Sequence, residues 1–102
     1  MTTQNDIRLN IMEAIARKKA VSARYNGDVI KLAPHFLFER HGELFVGALN
    51  LSKAWRTEEE RRLGQFKLAG LGDSSLLDES FDALPTYSPD VPRAGDTLVL
   101  AL

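Results

Sequence analysis

No cysteine occurs among the 102 residues, which excludes disulfides, thiolate nucleophiles and sulfur metal sites and agrees with a reducing compartment. Histidine is scarce as well, with His35 and His41 the full complement. Zinc sites draw three or four clustered ligands from His, Cys and carboxylates, and no such spacing is present. The first ten residues are polar and hold no apolar stretch of the kind a signal peptide needs. No run elsewhere is long enough to span a bilayer, so the expectation is a cytoplasmic chain with no membrane partner. Neither charge sign dominates, since the net charge is −1. Dedicated nucleic-acid coating proteins are strongly basic, because phosphate neutralisation supplies most of their affinity.

What is present is an ordinary globular composition, 44% hydrophobic and 26% charged, at a length that suits one domain over residues 1–102. The charge is unevenly spread. Residues 1–71 carry twelve Lys/Arg against eight Asp/Glu, whereas residues 72–102 carry one against six. Only the first part can offer a basic face.

Asn5 or Asp6 can accept backbone N–H groups at a helix start. Ile7, Ile11, Ala14 and Ile15 follow at helical spacing, with Arg8, Glu13 and Arg17 on the other side. Arg17, Lys18 and Lys19 suit the negative end of the helix dipole. From Ala20 the period becomes two, placing Val21, Ala23 and Tyr25 on one side of a strand and Ser22 and Arg24 on the other. Asn26-Gly27 signals a tight hairpin, because both central positions of a type I′ turn need positive φ. The return strand runs over Val29 to Ala33, and Pro34 is expected to stop it by removing a ladder donor. A further strand is expected over His35 to His41, with Gly42 turning into Glu43 to Leu49. Residues 50–62 read as a polar loop or short helix, and Leu63 to Leu71 resumes alternation. Gly70, Gly72, Asp73, Ser74 and Ser75 read as a break, after which Leu76, Leu77, Phe81 and Leu84 fit a short helix. Pro85, Pro89 and Pro92 make an extended connector, and Thr97 to Leu102 reads as a terminal strand with Leu98, Leu100 and Leu102 on one side.

Helix, Asn-Gly hairpin, proline, second hairpin, polar loop and a strand carrying Phe-Lys-Leu resemble, in that order, the WYL domain. The matching residues lie within 11–71: Ala14-Ile15, Arg24-Tyr25, Leu32-Ala33-Pro34, Gly42-Glu43-Leu44-Phe45-Val46 at the family's naming motif, and Phe66-Lys67-Leu68. The resemblance implies an α+β, mainly β fold. An N-terminal helix would precede a small SH3-like (Sm-like) antiparallel barrel, followed by a short helix and a terminal strand in an acidic, proline-containing extension over 72–102. It also implies a bacterial, non-enzymatic module of transcription regulation that senses nucleotide or oligonucleotide ligands and needs no cofactor. The sequence departs from the family at two places. Leu44-Phe45-Val46 stands for Trp-Tyr-Leu, and Ala69-Gly70-Leu71 occupies the place of Asp-Arg-Ile, so the family's ligand-facing arginine is absent. One helix before the sheet is too little for a helix-turn-helix reader of DNA.

Catalytic patterns are missing. Ser22, Ser52, Ser74 and Ser75 lie outside any nucleophile elbow, and both histidines read as surface or strand-end residues. Glu58-Glu59-Glu60 beside Arg61 and Arg62 is the composition of a solvated loop. Glycines 42, 47, 64, 70 and 72 form neither a phosphate loop nor a dinucleotide fingerprint; they suit the turns and bulges of a small barrel. The candidate ligand-binding set is Arg24, Tyr25, Phe45, Arg62 and Lys67, cations beside aromatics of the kind that meet a nucleotide or single-stranded nucleic acid. Trp55, in a polar loop, and Leu98 and Leu100, on the terminal strand, are candidate interface residues for a homodimer or another protein partner.

Overall fold

The computed structural model describes residues 4–57, 60–85, 87–88 and 92–102, with side chains from residue 7 onward. Ile7, Ile11, Ala14 and Ile15 are all buried on one face of helix α1 (Gln4–Arg17), as their spacing demands. The helix ends where Lys18 adopts a φ of 55°, the left-handed conformation that terminates helices. Strands β1 (Lys19–Tyr25) and β2 (Asp28–Arg40) follow. They are joined by Asn26 and Gly27 at φ 51° and 85°, the expected two-residue turn. A second turn of the same kind uses His41 and Gly42 at φ 52° and 77° to enter β3 (Glu43–Asn50). His41 is therefore a turn residue and not the end of a strand.

Pro34 does not stop its strand. β2 runs unbroken for 13 residues, and its pairing with β3 shifts register between Pro34 and Phe36, so His35 is the extra residue of a bulge. On the opposite edge, pairing with β1 ends at Leu32 and pairing with the last strand begins at Phe36. Pro34 thus sits in the gap between two neighbours, where a missing donor is least costly.

Strand β4 (Leu63–Lys67) pairs with β3, and a 3-10 turn over Leu68–Gly70 leads into β5 (Gly72–Ser80). The short helix expected around Leu76 and Leu77 is absent; that stretch is β5, antiparallel to β1 from Lys19↔Ser80 to Arg24↔Gly72. Local leucine spacing cannot register the free edge of β1, and pairing with that edge overrides it. Phe81 and Leu84 follow the strand in irregular chain. The terminal strand β6 (Thr97–Ala101) pairs with the second half of β2.

The sheet order is β4-β3-β2-β1-β5, with β6 beside β2. This is an N-terminal helix on a six-stranded antiparallel sheet, mainly β. No hydrogen-bonded pairing joins β4 to β5 among the described residues, so the barrel stays open on that side and the 3-10 turn spans it. The inner face, with Val21, Leu32, Leu37, Val46 and Leu68, packs on α1 as one core. No helix of the described residues is long and apolar enough to cross a membrane.

Candidate functional site

The outer face of β2, β3 and β4 carries the site. Partners directly opposite in an antiparallel pair share a face, so the register Phe36↔Gly47, Phe38↔Phe45 and Gly47↔Gln65, Phe45↔Lys67 lays out two cross-strand rows. In the first row, a Cβ on Gly47 would overlap the Phe36 ring; the ring lies over the bare backbone. In the second row, Phe38 and Phe45 stack at 5.5 Å, and the Arg40 guanidinium sits 5.2 and 5.1 Å from the two ring centres.

The chain after β5 crosses this face and is pinned at both ends. At one end His35, fully buried, places Nδ1 2.8 Å from the Ala33 carbonyl and accepts the Leu84 N–H at Nε2, 3.1 Å away. This pattern fixes the neutral tautomer with the proton on Nδ1. Phe81 stacks on the ring and Tyr87 meets it edge-on, while the Tyr87 hydroxyl donates to the His35 carbonyl. Burial holds the imidazole below its ordinary pKa, with the Ala33 hydrogen bond opposing. His35 is thus a core anchor and not the surface residue that its sequence context suggests. At the other end Asp96 takes two bonds from Arg40, Nε to Oδ1 at 2.9 Å and Nη2 to Oδ2 at 2.8 Å. The Asp96 side chain is 3% exposed. The Arg40 hydrogen bonds hold the carboxyl below its usual range.

Between this crossing segment and the β4 edge opens a cleft of about 440 Å3. Phe36, Gly47, Gly64 and Gln65 form its sheet side, Leu84, Tyr87 and Pro92 its far wall, and Arg61 and Arg62 approach from the loop before β4. Its described lining contains two guanidinium groups and no carboxylate. Arg61 is half-buried and Arg62 exposed; among the described residues neither has a carboxylate within ion-pair distance.

The candidate residues read from the sequence are dispersed. Arg62 lines the cleft. Arg24, on the outward face of β1 and away from the cleft lining, pairs with Asp73 of β5 at 3.0 Å. Tyr25 turns inward against Phe66, ring centres 5.3 Å apart, and so is not part of an outward set. Phe45 is half-buried in the stack with Phe38, and Lys67, its cross-strand neighbour, pairs with Glu43 at 2.8 Å. Arg61 and Gly47, which read from the sequence as a solvated-loop residue and a turn or bulge glycine, line the cleft with Gln65 and Tyr87; the arginine pair and the glycine facing an aromatic are the signals that point to them.

Trp55 is half-buried against the cluster of Ala33, Leu49 and Leu84. Its indole N–H donates to the Asn50 carbonyl at 3.1 Å, and Lys53 Nζ lies 4.4 Å from its ring centre. Leu98 and Leu100 part company. The register places Leu100 opposite Leu37 and Leu98 opposite Phe38, with a shift between them, so Val99 bulges. Leu100 packs on the main core, while Leu98 and Val99 remain 40% and 44% exposed. Glu58 and Glu59 lie outside the described residues; Glu60 accepts the Arg56 backbone N–H. Ser52 and Ser74 hold structure, accepting the Lys31 N–H and the Asn10 side-chain amide respectively.

No protein-family model matches the chain, and no curated protein matches it. Among solved structures the fold is similar to that of proteasome accessory factor B/C (PafBC) of Arthrobacter aurescens, with a TM-score of 0.64 and 17% sequence identity. The match covers 80% of this chain and 13% of that one. The chain therefore spans a small part of the protein it resembles, and the likeness at this identity is one of fold.

Proposed function

We propose that this chain is a non-enzymatic ligand-binding module of the WYL type, with a regulatory role, that holds an anionic, nucleotide-like ligand in the cleft between β4 and the crossing segment. The observation that carries the reading is the cleft's lining: two arginines, no described carboxylate, and a flat floor where the Phe36 ring covers Gly47. Among the described residues no carboxylate pairs with the half-buried Arg61 guanidinium, and an anion beside it would offset the cost of its partial burial. The aromatic and glycine floor suits a planar ring, while Gln65, whose Oε1 accepts from Arg40 Nη2 at 3.2 Å, has its amide N–H groups to offer to the ring's edge. The fold likeness and the WYL-like motif residues support a sensing role. The described residues bring together no nucleophile, base and orienting group, so nothing favours catalysis.

The test is an equilibrium titration with a nucleoside 5′-monophosphate at two salt concentrations. Arg62→Ala and Arg61→Ala are expected to weaken binding about tenfold each, in line with charge-assisted hydrogen bonds, and added salt weakens binding by the unaltered chain. Lys67→Ala, whose ammonium is paired with Glu43 outside the cleft, leaves affinity unchanged. Equal losses at positions 62 and 67 would point to diffuse surface attraction and sink the cleft assignment.

A second reading rests on β6. Leu98 and Val99 are exposed apolar residues beside one another on a strand whose described pairing is with β2 alone, an arrangement open to pairing with a partner strand or a second copy. Sedimentation of the unaltered chain and of Val99→Lys decides it: a dimer that the lysine dissociates supports association through β6.

A further inference from the structure

The crossing segment is fastened at its start, its middle and its far end, and these fastenings differ in kind. At the start the Phe81 N–H donates to the Lys18 carbonyl at 3.1 Å, a backbone bond with no ionisable partner. At the far end Asp96 is held by the Arg40 guanidinium at 2.9 and 2.8 Å, and its own N–H donates to the Arg93 carbonyl at 3.1 Å. Between them His35 holds a turn. Leu84 gives its N–H to Nε2 at 3.1 Å, and its carbonyl accepts the Tyr87 N–H at 2.9 Å. Beneath this turn lies the small cluster of Ala33, Leu49 and Leu84, with Phe81, Tyr87 and Trp55 packed against it. No described residue of the crossing segment belongs to the main core under α1. The turn can therefore leave its seat while the main core stays closed, which is the condition for a local opening distinct from unfolding.

The middle fastening depends on which ring nitrogen carries a proton. A neutral imidazole donates at Nδ1 to Ala33 and accepts at Nε2, whereas an imidazolium donates at both and sets a ring N–H against the Leu84 N–H. No described carboxylate is bonded to the ring to answer the added charge. β2 offers the Ala33 carbonyl, and the crossing segment offers the Phe81 and Tyr87 rings. The Tyr87 hydroxyl and the Leu102 N–H both donate to the His35 carbonyl, so Leu102 and its carboxyl are tied to the backbone of His35, while the ring nitrogens face Ala33 and Leu84. On the neighbouring elements Asp82 is exposed, Glu79 of β5 is taken by Lys31 and Asp96 by Arg40. Asp90 lies outside the described residues. The nearby cations, Arg61 and Arg62 in the cleft lining and Lys53 over the Trp55 ring, oppose a further positive charge.

We propose that His35 is a proton-operated latch: a neutral ring seats the turn closed by Leu84 and Tyr87, and protonation lifts that turn while both ends of the crossing segment stay fastened. The Lys18–Phe81 bond does not titrate, and the Arg40–Asp96 pair persists until pH falls below the ordinary 3.8 of the carboxyl. Lifting therefore occupies the window between that limit and the ordinary 6.5 of histidine. His41, the other histidine, is an exposed turn residue and has no part in the latch. Leu84 and Tyr87 also belong to the far wall of the cleft. The latch does not depend on what the cleft holds. Its consequence rests on the cleft reading above: the closed form binds the ligand, and acid releases it by removing the wall.

The test is amide hydrogen exchange of the full chain, followed by NMR between neutral pH and about pH 4.5 and corrected for intrinsic rates. The Leu84 and Tyr87 amides are expected to lose protection by about tenfold per pH unit below 6.5, the slope of one proton gained on opening. The Phe81 and Asp96 amides should stay better protected, and the strand amides of β2 and β3 best of all. Emission of Trp55, the single tryptophan, should shift to the red over the same window as its cover lifts. His35→Gln, whose amide oxygen accepts in the place of Nε2 without titrating, should flatten both profiles; His41→Asn, which suits the positive φ of its turn, should leave them as they are. Turn and strand amides that lose protection together, or a Leu84 amide whose protection ignores pH, overturn the latch. So does a pH dependence that survives His35→Gln. Titration with a nucleoside monophosphate at both ends of the window then tests the consequence, with affinity expected to fall by the fraction of chain left closed. Undiminished binding by the lifted form overturns release through the latch. Absence of binding at every pH overturns the cleft reading alone, because exchange decides the latch without a ligand.

Discussion

The two faces of the sheet are built by different physics. The inner face is a continuous apolar layer under α1, in which Ile11, Leu32, Leu37, Val46 and Leu68 are completely buried and the buried side chains of the cluster are all apolar. The outer face is covered by irregular chain, and its contacts are few and specific: a neutral histidine accepting one N–H, a part-buried Arg–Asp pair and an aromatic laid over a glycine. Burial on the inner face scales with area and tolerates exchange of one apolar group for another. On the outer face each contact has a single geometry, and losing one partner strands the other. The cleft proposed to bind ligand belongs to the outer layer, so the contrast separates the apolar layer that carries most of the buried core from the face on which the proposed site lies.

The largest effect is expected from breaking the inner layer. Ile11→Ala empties a site with no exposure beneath the helix and should cost about 2–5 kcal/mol, read as a fall in the denaturation midpoint with an unchanged slope. Ligand affinity, measured where the variant is still folded, should stay as it was. An affinity loss as large as that of Arg62→Ala would show that the two layers are not separable in this way.

Breaking the His35 anchor comes next. His35→Leu leaves the Leu84 N–H without its acceptor, at a cost of about 1–3 kcal/mol, and should loosen the far wall of the cleft. The same anchor sets a pH dependence. The folded-state pKa of His35 lies below the ordinary 6.5 because burial penalises the imidazolium, so the unfolded chain takes up the proton first as pH falls. Stability from this group is full above 6.5 and is lost as pH drops from there through the lowered value. None of the groups around the ring, Ala33, Phe81, Leu84 and Tyr87, offers a carboxylate to oppose that loss. Asp96 titrates in a lower window: its pKa is depressed by the Arg40 hydrogen bonds, so its contribution persists until pH falls below the ordinary 3.8. Denaturant midpoints across pH should therefore show two separate declines, and His35→Leu should erase the upper one alone. A decline near neutrality that survives in His35→Leu would assign it to another group.

The contrast also explains what the sequence revealed. The inner layer was legible because it is periodic: Ile7, Ile11, Ala14 and Ile15 at helical spacing, and Val21 and Ala23 at a spacing of two, mark their own burial. Both hairpins could be read from Asn26-Gly27 and Gly42. The outer layer has no period. His35 looks exposed because its bulge is created by pairing with β3, and its acceptor role depends on a backbone N–H 49 positions away. Leu76 and Leu77 suggest a helix until the free edge of β1 is known. Leu98 and Leu100 alternate in the sequence, yet the bulge at Val99 sends them to opposite faces. Of the proposed ligand residues, Arg62 alone lines the cleft, because Arg24 and Lys67 each find a carboxylate on a neighbouring strand that no local pattern announces.

The smallest and most local test compares two glycines at the margins of the outer layer. At Gly47 an added methyl would meet the Phe36 ring, which is buried and stacked on Phe38 and Tyr87. The ring cannot turn away without disturbing both neighbours, so Gly47→Ala should cost about 1–3 kcal/mol by overpacking and alter the cleft floor. At Gly70, in the 3-10 turn, an added Cβ meets nothing within 4 Å and φ is not positive; Gly70→Ala should be neutral or stabilise by about 0.4–1 kcal/mol through the unfolded chain. Titration of both variants with the monophosphate then separates floor from frame. Loss of affinity in Gly47→Ala with none in Gly70→Ala is the expected result. Equal affinities would mean that the ligand does not rest on the Phe36 ring, which would remove the floor from the site while leaving the arginines in it.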